Sequence, residues 1–371
     1  IDDVSRPKNY KIKLAKREEE RDLSRKNWKN IETIKELKEG YLSQVVHSLS
    51  NMAIENNAVI VLEDLNFGFK KGRFKIERQV YQKFEKALID KLNYFVIKNK
   101  EVNSAGGLLH AYQLTNPFVS FQKLGKQSGI LFYVPAQFTS KIDPKTGFIN
   151  LLYPKYETII QSKNFLEKFK FVKYHSSEEI FEFNFNYSDF DSRNEIKLIN
   201  NNWSIWSNGI RLINKRDPKK NNNWNTEELD LTKELKKLFE EYNINYKTGT
   251  DFKNDFSRIE KKDFFDNFMR LLRQVLQMRN SYTESEIEKF KIIPNFKESD
   301  YDYILSCVKD KNGNFFDSRK AKSNEPLSAD ANGAYHIGLK GLIMIGKIRK
   351  DEKDLKIDRN GFINFIIKRN E

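Results

Sequence analysis

The segment AVIVLEDL, residues 58–65, decides how the first part of this chain folds. A short run of β-branched and aliphatic residues that ends in acids is typical of a strand buried on both faces of a sheet. Amphipathic helices are predicted on either side, over residues 41–55 before it and over residues 79–98 after a basic, glycine-containing loop. A second strand is predicted over residues 129–136. This alternation of helices and strands predicts an α/β fold.

The regions outside this core have a different pattern. Residues 10–39 lack glycine and proline and interleave acids with bases at helical spacing, which predicts a long solvated helix that ends at Gly40. From about residue 137 the chain turns to loops and short strands, such as residues 153–160, with one amphipathic helix from Lys262 to Met278. After about residue 328 the α/β pattern returns, with a helix that begins near Asp330. We therefore expect a separate domain inserted between two α/β parts.

The composition favours a nucleic-acid partner. The 371 residues include 66 Lys and Arg against 52 Asp and Glu, so the net charge is +14, and an excess of this size attracts polyanions. The 16 Tyr, 29 Phe and 4 Trp suit base stacking, although a merely soluble basic protein is the alternative. One cysteine, Cys307, excludes an intrachain disulfide and a four-cysteine zinc site. Since no apolar run approaches the roughly 20 residues of a membrane span, we expect a cytoplasmic protein without a membrane partner.

Two acids occupy positions at which ligand-binding and catalytic residues are common. Glu63 ends the predicted buried strand and Asp330 begins a predicted helix, and α/β sheets bind ligands at the carboxyl ends of their strands. If the sheet brings them together, their oxygens suit Mg²⁺ or Mn²⁺, and paired ions of this kind activate water for phosphodiester hydrolysis. The alternatives are a salt bridge at the sheet edge for Glu63 and a helix N-cap role for Asp330. Spacing alone leaves both interpretations open.

Four strings of sequence carry a resemblance to a known family: residues 38–94, LQMRNS at 276–281, NGNFFDSR at 312–319 and DANGAYHIGLKGL at 330–342. They resemble, in the same order, the C-terminal third of the type V-A CRISPR effectors, the Cas-twelve-a or Cpf-one family of RNA-guided DNA endonucleases that serve antiviral defence. The resemblance implies an RNase H-like RuvC nuclease, a mixed sheet with flanking helices, together with a long bridge helix and an inserted α+β Nuc domain. The implied boundaries are 1–40 for the bridge-helix region, 41–135 for the second RuvC segment, 136–327 for Nuc and 328–371 for the third RuvC segment.

The resemblance also implies roles for single acids. Glu63 in LEDLNFG matches the family's catalytic glutamate and Asp330 in ADANGAYH matches its last catalytic aspartate, so both are expected to bind the metal ions. Asp64 is the neighbouring candidate, but adjacent strand residues face opposite sides of the sheet and we favour Glu63. Asp302 resembles a catalytic acid of the Nuc domain, with residues 281–300 as an insertion relative to the family.

Arg279 in LQMRNS matches an arginine of the Nuc domain that is associated with cleavage of the target strand. A guanidinium there suits a phosphate clamp. The alternative is an arginine that offsets the dipole at the C-terminus of the preceding helix.

Basic and aromatic residues near the first strand are candidates for nucleic-acid binding. Lys70, Lys71, Arg73 and Lys75 alternate with phenylalanines, as expected of a groove that guides a strand, although a solvated basic loop is the plain alternative. Arg25 and Lys29 of the first helix are further candidates. Trp28 matches the bridge-helix tryptophan that contacts the recognition lobe, or else it packs on its own domain.

Zinc is not expected. Related transposon nucleases carry a zinc ribbon after the equivalent of YVPAQFTSK, residues 133–141, but this chain has Asp143 where a first cysteine would stand. The four histidines, His47, His110, His175 and His336, show no metal-ligand spacing and are interpreted as structural or surface residues.

The family's first catalytic aspartate precedes the bridge helix, and IDDVSRP at residues 1–7 does not match that motif, so neither Asp2 nor Asp3 is assigned. By resemblance the partners are target and non-target DNA, a guide crRNA and an N-terminal recognition lobe, in a prokaryotic cytoplasm. We expect the nuclease-lobe part of such an effector, inactive or poorly active alone. The alternative is a non-catalytic nucleic-acid-binding or scaffold half of a split or decayed effector.

Overall fold

A computed structural model describes most of the chain. The described residues are 13, 15–17, 19–20, 28–56, 58–63, 75–94, 131–135, 137–152, 156–190, 197–217, 223–282, 286, 302–350, 352 and 356–370. They form a mixed α/β architecture of helices and small sheets in two compact units. The first unit comprises residues 1–137 and 347–351, and the second comprises residues 138–346 and 352–371. The RuvC and Nuc boundaries implied by the resemblance stay predictions.

One helix spans a point where the sequence predicts a break. Helix α1, Trp28–Glu55, runs through Gly40, so the expectation that this glycine ends the first helix is wrong. A helical glycine costs only about 1 kcal/mol relative to alanine, and tertiary packing supplies most of the stability of helices in proteins. The second half of α1 packs against helix α2, Lys75–Tyr94, where Val46 belongs to the same buried cluster as Leu88.

The two strands of the first unit form a parallel pair. Strand β1, Ile60–Glu63, aligns with β2, Leu131–Val134, so both predicted strands are confirmed in shorter form. The expectation that β1 is buried on both faces is wrong, because each of its four residues is partly exposed. β1 has a neighbour along one edge only among the described residues, whereas Leu131 and Tyr133 of β2 are buried.

The second unit begins around an aromatic core. Strand β4, Ile180–Asn186, pairs antiparallel with β3, Phe169–His175, on one side and with β5, Asn202–Trp206, on the other. Its phenylalanines at 181, 183 and 185 are fully buried, as alternation along a strand predicts for one covered face. The helices over this core are α3, Ile159–Glu167, α4, Tyr187–Phe190, α5, Leu231–Glu241, and α6, Lys262–Val275.

Two sequence expectations in this unit have different outcomes. The helix predicted from Lys262 is confirmed, and its stripe of apolar residues is buried. Residues 153–160 were expected among loops and short strands, but their last two residues are helical, because Ile159 begins α3. Thr158 caps that helix by accepting a hydrogen bond from the Gln161 N–H over 3.2 Å, and this local capping outweighs the β-propensity of the isoleucines.

The remaining elements frame the candidate site. A hairpin joins β6, Ile210–Asp217, to β7, Asn223–Asp230. A three-stranded sheet has β9, Asp302–Lys309, at its centre, with β8, Arg279–Ser281, and β10, Phe315–Asp317, on its two sides. The chain continues in α7, Ala329–Arg349, and α8, Arg359–Asn370. The helix predicted near Asp330 is thus confirmed.

Among the described residues, none of the helices combines the length and the apolar character that a membrane crossing requires.

Candidate active site

Three residues singled out in the sequence meet at the start of strand β9. Arg279 is the first residue of β8, Asp302 is the first of β9, and Asp330 lies in the first turn of α7. The guanidinium of Arg279 donates through Nη2 to Oδ2 of Asp302 and through Nη1, over 3.3 Å, to Oδ1 of Asp330. One arginine therefore joins two carboxylates from separate elements. We call these three residues the acid–arginine cluster.

The exposure of the three side chains differs and separates what they can do. Asp302 is 13% exposed, and its Oδ1 accepts a hydrogen bond from the backbone N–H of Ala329 over 3.3 Å. Asp330 is 85% exposed, and to the described residues its carboxylate makes only the bond to Arg279. Asp302 thus ties β9 to the start of α7 and orients the guanidinium, whereas Asp330 presents its carboxylate to solvent.

Helix α7 is capped by its own serine. The Oγ of Ser328 accepts a hydrogen bond from the Ala331 N–H over 3.2 Å, and its carbonyl accepts one from the Asn332 N–H over 2.9 Å. The alternative that Asp330 is the N-cap is therefore wrong. In the first turn its charge is still stabilised by the helix dipole.

A buried arginine that the sequence analysis missed binds the chain shortly before Arg279. Arg211 of β6 is fully buried, and its Nε donates to the carbonyls of Gln274 and Gln277 over 3.2 and 3.0 Å. These are carbonyls at the C-terminal end of α6, so Arg211 binds that helix end by hydrogen bonds, and the role of Arg279 stays a prediction. Burial lowers the pKa of Arg211 to about 10, which leaves it charged at neutral pH.

The local sequence gives no signal for this role of Arg211. An arginine between Ile210 and Leu212 in a strand predicts a solvent-facing cation, yet Ile210 is 45% exposed and Arg211 is buried. Only the position of the α6 carbonyls, more than sixty residues later in the chain, explains why the guanidinium points inward.

Glu63 stands at the end of a parallel strand pair, as expected. It aligns with Val134, the last residue of β2, and its backbone carbonyl accepts a hydrogen bond from the Tyr81 hydroxyl of α2 over 2.9 Å. Carboxyl ends of parallel strands are where open α/β sheets bind ligands. Glu63 belongs to the first unit and Asp330 to the second, and a metal site shared by the two stays a prediction. Asp64 lies outside the described residues.

The fit of a metal ion can be judged from the carboxylates themselves. No group of three or more His, Cys, Asp or Glu in the described part of the chain is arranged to hold a metal. Asp330 fits a hard cation in kind, because its carboxylate is exposed and Mg²⁺ prefers oxygen ligands. Asp302 fits less well, since both of its oxygens accept hydrogen bonds from the protein.

Comparison with protein families identifies the chain. A family model for the RuvC nuclease domain matches residues 1–371. This chain belongs to the RuvC nuclease domain family. Membership agrees with the mixed α/β architecture and supports nuclease activity, the hydrolysis of nucleic acid. RuvC nucleases generally use divalent metal ions, which accords with the carboxylate oxygens that Asp330 offers.

Most of the residues predicted to bind nucleic acid in this RuvC domain lie outside the described residues. These are Arg25, Lys70, Lys71 and Arg73. Trp28 and Lys29 belong to helix α1, and Lys75 begins α2. Their roles stay predictions.

Asp143 has a structural place in the RuvC domain. It is fully buried, and its Oδ1 accepts hydrogen bonds from the N–H groups of Lys145 and Thr146 over 2.9 and 2.7 Å. Burial raises the pKa of its carboxyl group. Asp143, at the position where related transposon nucleases have a zinc-binding cysteine, thus closes a tight turn.

The described histidines of the RuvC domain each have a protein partner. His336 is fully buried in α7 and donates through Nδ1 to the Asn332 carbonyl over 2.8 Å, and burial lowers its pKa to about 4. His47 contacts Asn51 at 3.2 Å, and His175 contacts Glu182 at 2.7 Å. His110 lies outside the described residues.

Cys307 agrees with its interpretation as a small core residue. It is fully buried in β9, and burial raises the pKa of its thiol to about 12.

Proposed function

We propose that this RuvC domain is the nuclease-lobe part of a type V-A RNA-guided DNA endonuclease, which hydrolyses phosphodiester bonds of the target and non-target strands. The observation that carries the proposal is the acid–arginine cluster. Arg279, Asp302 and Asp330 come from three separate parts of the sequence that the family resemblance singles out, and the Arg279 guanidinium lies within hydrogen-bond distance of both acids. Membership in the RuvC family supports the reaction class, and the strings support the finer assignment.

The proposal assigns the metal ions to two carboxylates. Glu63 and Asp330 would hold Mg²⁺ or Mn²⁺, which when bound supplies activation of water and stabilisation of the leaving oxygen. Asp330 is suited to this because its carboxylate is exposed and has one long bond to Arg279.

Arg279 and Asp302 act on the substrate side in this proposal. The contact of Arg279 with Asp302 is the tighter and more buried of its two ion pairs, so it persists and keeps the guanidinium oriented. A phosphate of the DNA strand replaces the longer contact to Asp330, since guanidinium groups bind phosphate oxygens through two parallel hydrogen bonds. Arg279 is thereby a phosphate clamp and Asp302 its positioning residue.

The partners follow from the same proposal. They are the two DNA strands, a guide crRNA and an N-terminal recognition lobe, and the setting is the cytoplasm of a prokaryote. The excess of 14 positive charges supports a polyanionic partner.

Substitution of Asp330 tests the activity. We expect Asp330→Asn to abolish Mg²⁺-dependent cleavage by the guide-loaded effector that contains this chain, because an amide is a weak ligand for a hard cation. Cleavage of labelled duplex DNA is measured with and without Mg²⁺. Asp263→Asn is the matched control, since Asp263 is an exposed aspartate in the first turn of α6 and occupies a similar helix position.

The scaffold alternative predicts the opposite result. A non-catalytic nucleic-acid-binding half binds DNA equally well before and after the Asp330→Asn substitution, and neither form shows metal-dependent cleavage. Cleavage that survives Asp330→Asn at the wild-type rate contradicts the proposed site.

A further inference from the structure

A cavity of about 610 Å³ opens directly beside the acid–arginine cluster. Arg279 and Ala329 line it on the side of the cluster, and Phe138 and Lys141 line it from the segment that follows β2. All of its lining residues belong to the second unit. Small-molecule sites in proteins have volumes of roughly 300–1,000 Å³, so the cavity has the size of a ligand site.

The charged residues described in the lining of this cavity are all cations. Three cations line it, Lys141, Arg273 and Arg279, and no acid is among the described residues that line it. Arg273 stacks over the ring of Tyr156 at 4.5 Å and makes no ion pair with a described residue. A cation held by an aromatic ring keeps its hydrogen-bond donors available for an anion.

Part of the lining of the cavity is apolar. Leu152, Leu276 and Met278 contribute to it, and each of the three is buried. Apolar walls with a few convergent polar groups are the usual form of a site for a planar organic group. Cations and apolar side chains in one lining together fit a nucleotide, which has an anionic phosphate and a flat base.

Phe138 has an unusual backbone conformation. Its φ is 69° and its ψ is −10°, the left-handed region, where a residue other than glycine is strained by about 1–2 kcal/mol. This strained residue lines the cavity at the start of the turn that carries Lys141. Strain of this kind clusters at ligand sites.

We infer that this cavity is a subsite for one nucleotide of single-stranded DNA, next to the phosphate that Arg279 clamps. The base lies against Phe138 and the apolar part of the lining, and Lys141 and Arg273 bind the flanking phosphate. The inference rests on the proposed function for the identity of the strand, and it adds residues that the sequence analysis did not single out.

Fluorescence of 2-aminopurine tests the subsite on the 371-residue chain itself, without metal. Single-stranded oligonucleotides carrying the probe at each position in turn are titrated with protein, and binding is measured by anisotropy. We expect one probe position to be quenched in the wild type. Phe138→Leu keeps an apolar side chain but removes the ring, so we expect loss of that quenching and roughly 10-fold weaker binding.

Lys141→Ala is the second variant, because Lys141 is exposed and its removal leaves the core intact. We expect weaker binding and a salt dependence of log Kd reduced by about one phosphate contact. Phe315→Leu and Lys237→Ala are matched controls, since Phe315 is a partly exposed phenylalanine and Lys237 an exposed lysine, both outside the cavity lining. Both controls should bind and quench as the wild type does.

The outcomes separate the subsite from the activity. Wild-type quenching and affinity in both Phe138→Leu and Lys141→Ala overturn the subsite, whatever the cleavage assay shows. If these variants lose binding while Asp330→Asn leaves cleavage unchanged, the subsite stands and the proposed active site falls.

Discussion

The acid–arginine cluster and the strand end at Glu63 are built in different ways. The cluster draws its residues from β8, β9 and α7, and the same unit contains the capping turn at Ser328 and the bond from Arg211 to the Gln277 carbonyl, two residues before Arg279. Glu63 instead ends a short strand whose residues are all partly exposed, held by a parallel partner and the Tyr81 hydroxyl. An ion-pair cluster of this kind therefore depends on long-range packing, whereas a strand-end acid depends on its strand.

The largest expected effect comes from the buried arginine of the second unit. We expect Arg211→Met to lower the free energy of unfolding by about 4 kcal/mol, because the carbonyls of Gln274, Gln277 and Asn208 then lose their donor inside the protein. Arg279→Ala, at a 57% exposed ion pair, should cost less than about 1 kcal/mol. Urea unfolding of both variants measures the difference, and equal losses would contradict the larger contribution of the buried guanidinium to stability.

The next largest effect is a pH dependence of stability at the helix that carries Asp330. Burial lowers the pKa of His336 from 6.5 to about 4, so the unfolded chain binds a proton at a higher pH than the folded one. Stability is therefore lost as pH falls from about 6.5 towards 4, by about 3 kcal/mol from this group.

The buried carboxyl of Asp143 has a raised pKa and opposes this trend, because its folded form keeps a proton that the unfolded chain releases. A substitution of the histidine therefore separates its contribution to the pH dependence from that of Asp143. We expect His336→Gln to flatten the fall in stability as the pH is lowered through this window, measured by urea unfolding at each pH. A slope as steep as in the wild type contradicts the assignment.

The smallest expected effects come from removing one hydrogen bond near Asp330 and one at Glu63. Ser328→Ala removes the cap of α7 and should cost about 1 kcal/mol. Tyr81→Phe removes the hydroxyl bond to the Glu63 carbonyl and should cost about 0.5–1.5 kcal/mol. Thermal unfolding gives both values, and hydrogen exchange of the peptides around Glu63 and Asp330 shows whether each loss stays at its own acid.

Local periodicity predicted several elements well and missed others for identifiable reasons. The apolar stripe from Lys262 and the helix near Asp330 are confirmed, because an amphipathic pattern is a property of neighbouring residues. The break at Gly40 is wrong, since packing of α1 on α2 outweighs the cost of one glycine. The burial predicted for β1 is wrong as well, because how a strand is covered depends on elements far away in the chain.

Some residues of the candidate site were likewise predicted from the sequence, and others were missed. The family resemblance pointed to Arg279, Asp302 and Asp330, and in the structure Arg279 contacts both acids, while their catalytic roles stay predictions. No pattern in the sequence indicated the inward guanidinium of Arg211 or the cavity beside Phe138.

Residue patterns were sufficient to predict the helices and strands with a clear period, the basic charge of the chain and the motif strings that point to a nuclease. These are properties of residues within a few positions of one another, and local backbone geometry is sufficient to express them. The contact of Arg279 with Asp330 across 51 residues of chain, and that of Arg211 with the end of α6, arise only when the whole chain folds. Such contacts depend on strand register and on the packing of whole elements, because a buried charge is stable only where other parts of the fold bring it partners.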